Sequence, residues 1–143
     1  MQLSRFTDFS LRVLLYLLIN DNKRARLQDI ADFYPVPLEH LRKIVHALSK
    51  AGYLNTFRGK NGGIELAMAA EKIKIGDVIK QFEKQDSLID CDGLGCRLAV
   101  SCTLKKALKH GEQALFDTLN SYSLADLVTS RKSMVRLLIN KAA

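Results

Sequence analysis

The sequence predicts a mainly α-helical fold with a small β-hairpin wing: a winged helix-turn-helix followed by a long dimerisation helix. Three observations carry this expectation. Two short amphipathic helices are joined by a proline-containing turn, a glycine-rich hairpin signal lies directly behind the second of them, and an apolar stripe recurs at helical spacing over residues 103–120.

Thr7 or Asp8 is placed to cap a first helix reaching about Asn20, with Leu11, Leu14, Leu15 and Leu18 on one face. A shorter helix is expected over residues 27–33, its buried stripe formed by Leu27, Ile30 and Ala31. Tyr34-Pro35-Val36-Pro37 breaks that pattern, and Pro37 suits the first turn of a third helix that runs to about Ala51 and stops at Gly52. On the third helix Leu38, Leu41, Ile44, Val45 and Leu48 share one face. Glu39, Lys43, His46 and Lys50 lie opposite, with His40 and Arg42 at the margins. A polar face of that kind serves a recognition helix, in which long cations meet phosphates and shorter polar groups meet base edges.

Residues 53–57 and 64–67 read as two strands around Arg58-Gly59-Lys60-Asn61-Gly62-Gly63, with Asn61-Gly62 expected to turn through positive φ. A hairpin behind a recognition helix is a wing, and Arg58, Lys60 and Asn61 near its tip are candidate DNA contacts. The Gly59-Lys60 pair does not open a nucleotide phosphate loop, because Leu54 stands where that motif needs glycine and Asn61 where it needs Ser or Thr.

Residues 75–82 read as another short amphipathic helix, and residues 86–96 as an acidic, glycine-containing loop. The three cysteines, Cys91, Cys96 and Cys102, fall within twelve residues at Cys-x4-Cys-x5-Cys spacing, the last at the start of the long helix with Ser101 as its expected cap. A helix N-terminus favours the thiolate of Cys102, and Gly93 and Gly95 let the loop turn its sulfurs inward. Soft thiolates suit zinc or an iron–sulfur cluster, each of which needs a fourth ligand, and the x4 and x5 spacing fits zinc less well. The helix over residues 103–120 carries Leu104, Leu108, Leu115 and Leu119 with Ala107, Gly111 and Ala114 beside them, a surface suited to close packing against a second helix in a homodimer. Ser123 is expected to cap a last short helix through Val128, and residues 134–139 are apolar enough to dock.

Composition bounds the function. The 143 residues carry a formal charge of +7, and residues 1–60 hold ten Lys/Arg against five Asp/Glu, the footprint of a polyanionic partner such as double-stranded DNA. An odd cysteine count without an export signal argues against a disulfide framework. The longest apolar run, residues 13–19, is too short for a membrane span, and Arg5, Asp8 and Arg12 interrupt any leader, so the expected location is the cytoplasm. No catalytic constellation stands out, so the chain does not read as an enzyme. Three segments follow: 1–67 the winged helix-turn-helix region, 68–102 the connecting helix and cysteine loop, and 103–143 the dimerisation helix and C-terminal segment, together one compact dimeric domain.

Taken in order, Phe6-Thr7-Asp8-Phe9 with Leu11-Arg12, Lys50-Ala51-Gly52-Tyr53-Leu54, Arg58 to Ile64, Ile75-Gly76-Asp77-Val78, the cysteine triplet and Tyr122 to Leu127 resemble the iron–sulfur winged-helix transcription regulators. The cysteine spacing and the Asp126-Leu127 ending are most similar to their nitric-oxide-sensing branch, the nitrite-sensitive repressors (NsrR type). The cluster-biogenesis branch is expected to carry histidine three residues after the last cysteine, where this chain has Lys105. Pro37-Leu38 departs from the small hydroxyl residue with which relatives often begin the recognition helix.

The resemblance implies a homodimeric repressor on a two-fold symmetric operator, holding an iron–sulfur cluster, [4Fe–4S] in preference to [2Fe–2S], on Cys91, Cys96 and Cys102. It points to Asp8 of the partner subunit as the fourth ligand. Nitric oxide would be the signal, and nitrosylation of the cluster would release the DNA and derepress nitric-oxide detoxification genes. The alternatives are an iron–sulfur-status or redox-stress regulator of the same fold, a zinc-stabilised DNA-binding protein without sensing, and a small metalloprotein with redox activity.

Overall fold

The computed structural model describes residues 2–83, 87–128 and 135. In chain order it holds α1 (Arg5–Ile19), α2 (Leu27–Phe33), α3 (Leu38–Lys50), the strands β1 (Leu54–Phe57) and β2 (Gly63–Leu66), α4 (Ile75–Phe82) and α5 (Thr103–Asn120), with single 3-10 turns at Ala70–Lys72 and Ala125–Leu127. The predominantly helical fold with one small antiparallel hairpin and a long late helix is the one the sequence predicts. The apolar segment over residues 134–139 lies outside the described residues except for Val135.

Helix α1 starts one turn earlier than Thr7 or Asp8 would set it. Ser4 is the N-cap, its Oγ accepting from the Thr7 backbone N–H at 3.2 Å. Thr7 is fully buried and serves the interior, and Asp8 lies within the first turn, where a carboxylate suits the positive helix end. At the third helix Pro37 is the N-cap residue itself, extended at ψ 135°, and the helix begins at Leu38.

The core is one cluster. Val13, Leu14 and Leu17 of α1 meet Ile30 of α2 and Leu41, Ile44 and Leu48 of α3, all seven without exposed surface. Leu38 is half-buried at the edge of that face. Leu54, Ile64 and Leu66 close the cluster from the hairpin; β2 alternates half-buried and buried residues, the pattern of a strand with one solvated side, whereas in β1 only Leu54 is buried and Asn55, Thr56 and Phe57 are exposed.

The hairpin pairs Leu54 with Leu66 and Phe57 with Gly63, leaving residues 58–62 as a five-residue loop. The tight Asn61-Gly62 turn expected from the sequence does not form. Positive φ falls instead on Gly59 (91°) and Gly63 (141°), and the Gly62 N–H bonds back to the Gly59 carbonyl at 2.9 Å. The reason lies outside the hairpin. Ala25 pairs with Ile64 through two backbone hydrogen bonds of 2.9 and 2.8 Å, and this third strand position fixes where the turn must close. Asn22, itself left-handed at φ 51°, accepts from the Leu66 N–H at 2.8 Å and holds the same edge.

Helix α4 packs on α1 by one side and on α5 by the other. None of the eighteen residues of α5 is buried. Phe116 and Leu119 touch the core, whereas Leu104 near the other end is 58% exposed. The segment after α5 is tied back by Leu124 N–H to Ile73 O at 2.8 Å and by Ile75 N–H to Tyr122 O at 3.1 Å. Ser123 is not the cap the sequence predicts: a 3-10 turn forms in place of an α-helix with Leu124 as its N-cap residue, and the Ser123 N–H and Oγ both donate to Asp126 Oδ2 at 2.7 Å.

Candidate nucleic-acid interface and thiol loop

Helix α3 presents Glu39, Arg42, Lys43, His46 and Lys50 to solvent, as its apolar pattern requires once Leu41, Ile44, Val45 and Leu48 are turned inward. Glu39 Oε1 accepts from Arg42 Nη1 at 2.8 Å, so that pair is partly satisfied by itself. Among the described residues Lys43, Lys50, Arg58 and Lys60 make no ion pair, which leaves four cations available to an outside anion. Arg58, Lys60 and Asn61 are all exposed on the wing loop, and the hairpin stem packs directly against α3.

His40 stands apart from the other candidates. It is half-buried and packs on Phe6 and Phe9 of α1, with ring centroids 6.3 and 6.1 Å away. It lines a cleft of about 560 Å³ together with Asp8, Arg5, Phe9, Pro35 and Pro37. Asp8 reaches Arg12 Nε at 2.8 Å across one helical turn. The structure thus gathers His40 and Asp8 in one cleft at the start of α1 and leaves Lys43, His46 and Lys50 on the open face.

Two side chains that hydrophobic patterning does not single out support this surface. Arg24, in the connection before α2, lays its guanidinium 3.5 Å from the centroid of the Phe57 ring, donates from Nη1 to the Asn61 carbonyl at 3.1 Å and meets Glu65 at 3.5 Å. Asn22 supplies the cap on β2 described above. Both sit in a polar stretch without period, where only through-space contacts reveal a role.

The thiol loop runs through residues 87–101 as successive turns. Cys91 is buried, Cys96 exposed and Cys102 intermediate. The Cys96 N–H donates to the Cys91 carbonyl at 3.1 Å, and Gly93 N–H to Asp90 Oδ1 at 2.7 Å, so the first two cysteines share one compact turn. Cys102, not Ser101, is the N-cap residue of α5, and its side chain caps no backbone N–H. Lys105 of α5 meets Asp92 of the loop at 3.3 Å. In kind, three thiols suit a soft metal or an iron–sulfur cluster. In placement they do not: among the described residues no group of three or more His, Cys, Asp or Glu side chains is gathered closely enough to hold a metal ion. Leu88, Leu94, Leu98 and Val100 around the cysteines are 52–97% exposed. Among the described residues no helix is long and apolar enough to cross a membrane.

Solved structures share this architecture. IscR of T. potens superposes with a TM-score of 0.72 at 22% identity over 90% of this chain and 86% of its own. The oxidised form of Staphylococcus aureus CymR gives 0.71 at 24% identity over 91% and 98%. CymR (YrzC), the global cysteine regulator of B. subtilis, gives 0.66 at 23% identity over 90% and 97%. At these identities the likeness establishes the fold. Residues 3–130 match the Rrf2 family, described as iron-dependent transcriptional regulators, and the chain belongs to that family.

Proposed function

We propose that this regulator binds a two-fold symmetric DNA site as a homodimer and that the chemical state of Cys91, Cys96 and Cys102 sets its affinity. The observation that carries the reading is the position of the thiols. Cys91 and Cys96 lie in the loop that leads into α5 and Cys102 is its N-cap residue, and α5, a helix with no buried residue, packs on α4, which packs in turn on α1. A change at the sulfurs that moves α5 against α4 therefore bears on the helix that supports α3. The thiol state acts as a ligand that favours one conformation of the dimer over another.

The family's description as iron-dependent and the three soft donors support a resident iron–sulfur cluster, with nitric oxide as the signal that damages it. A bound cluster would supply iron open to nitric oxide, and Asp8, free of capping duty, is the carboxylate the resemblance nominates as the partner's fourth ligand. The placement of the sulfurs favours a second reading, in which the thiols themselves respond to redox stress: Cys96 is exposed and Cys91 buried, with no closed set of ligands around them.

The test is protein purified without oxygen, its visible spectrum, and its affinity for operator DNA before and after nitric oxide or peroxide. A brown protein that loses DNA on nitric oxide supports the cluster. A colourless protein that responds to peroxide, and is restored by a thiol reductant, supports the thiol reading. Stoichiometric zinc with no response to either reagent refutes sensing.

A further inference from the structure

The wing is a short hairpin whose four-residue strands enclose the five-residue loop carrying Arg58 and Lys60. A two-stranded hairpin of that size is marginal by itself, so the direction of its tip has to be set from elsewhere. Arg24 touches it at three places along its length. Its guanidinium stacks on Phe57 at the end of β1, its Nη1 donates to the Asn61 carbonyl inside the loop, and its Nε faces Glu65 on β2. A fourth observation is independent of these. A Cβ on Gly63 would lie 2.8 Å from Arg24 Cγ and 2.7 Å from the Ala25 carbonyl, so the glycine leaves the space through which the Arg24 stem passes.

We propose that Arg24 is the positioning residue of the wing, clamping stem and loop so that Arg58 and Lys60 are presented in one orientation. This rests on the reading that the wing touches DNA. Arginine is the residue type that can do it: a planar guanidinium stacks on a ring with its face while its edge donates hydrogen bonds, which an ammonium cannot do. The ion pair with Glu65 is partly exposed and contributes little, so the stack and the bond to Asn61 carry the clamp. With those interactions made, the Arg24 charge is engaged within the protein and is not one of the cations that meet phosphate.

The experiment measures affinity for a mixed-sequence duplex about three helical turns long across a salt series, for Arg24→Ala, Arg24→Lys, Arg58→Ala/Lys60→Ala and their combinations. The proposal expects Arg24→Ala to lower affinity and flatten the salt slope toward the Arg58→Ala/Lys60→Ala value, Arg24→Lys to behave as Arg24→Ala although it keeps the charge, and Arg24→Ala to add nothing in the Arg58→Ala/Lys60→Ala background. Phe57→Leu, which removes the ring beneath the guanidinium, should reproduce part of the loss and keeps the test decisive if Arg24→Ala folds poorly. A wild-type slope in Arg24→Lys, or a further drop of about one unit when Arg24→Ala is added to the double variant, makes Arg24 a direct phosphate ligand and overturns the proposal. Unchanged binding in Arg24→Ala overturns it as well. An unchanged slope in Arg58→Ala/Lys60→Ala refutes the wing as a DNA-binding element, and the clamp with it, whereas a normal loss there combined with either preceding result refutes the clamp alone.

Discussion

Gly63 is the residue at which the turn, the third strand and the Arg24 stem meet, and its φ of 141° is closed to residues with a Cβ. Gly63→Ala is expected to cost about 1–3 kcal/mol, read as a lowered melting temperature, because neither the Ala25 carbonyl nor the backbone can move aside cheaply. Asp126 offers a check on the turn after α5. The Ser123 backbone N–H, and then its hydroxyl, hold the Asp126 carboxyl below its ordinary 3.8. A depressed folded value means the turn's contribution is fully present above pH 3.8 and is lost as pH falls through the lower folded value. Carboxyl NMR should show Asp126 titrating below that point and moving back up in Ser123→Ala. At this scale the sequence was only partly legible. Asp8 stands out in the sequence as a candidate, but the capping duty that competes for it belongs to Ser4, about one turn earlier, whose Oγ accepts from the Thr7 N–H. Asp8→Ala should therefore fold normally, and a changed visible spectrum or nitric-oxide response in that variant would mark it as a ligand rather than a structural residue.

The elements were legible wherever one face decides them. In α3 the positions of Leu41, Ile44, Val45 and Leu48 are enough to orient the helix, and the exposed Lys43, His46 and Lys50 follow from that. His40 was less so: a margin position on a helical wheel does not reveal that Phe6 and Phe9 wait beside it. The wing turn closes away from the position that Asn61-Gly62 predicts, because that dipeptide is a local signal whereas Ala25 and Ile64 pair across 39 residues of sequence. The functional difference between the two elements is measurable. Arg58→Ala and Lys60→Ala should weaken binding to every sequence and flatten the salt dependence by about one unit each. Changes at Glu39 or Lys43 should alter base preference instead, by about 1–3 kcal/mol for each hydrogen-bonded base edge no longer read. Competition between related duplexes at fixed salt separates the two effects.

For the whole molecule, composition marks a basic N-terminal half and the cysteine spacing a thiol-bearing loop ahead of α5, while the relation between them depends on packing no local pattern encodes. Helix α4 packs on both α1 and α5, and under the proposed function it is the element through which a change at the thiols would bear on the DNA-binding helices. The N-terminal half of α5 and the apolar residues around the cysteines are exposed, and in the proposed homodimer a second copy would cover them by closing a symmetric interface. Leu104→Lys should leave the chain folded yet shift its mass in sedimentation from dimer to monomer, with loss of operator binding. If thiol chemistry sets DNA affinity, operator binding must change with the state of the sulfurs. Operator binding is measured on a single anaerobic preparation before and after exposure to nitric oxide and to peroxide, with a variant replacing all three cysteines by serine alongside. A loss of affinity of at least about tenfold in the native protein under one reagent, absent from the variant, is the result predicted; equal affinities throughout would contradict it.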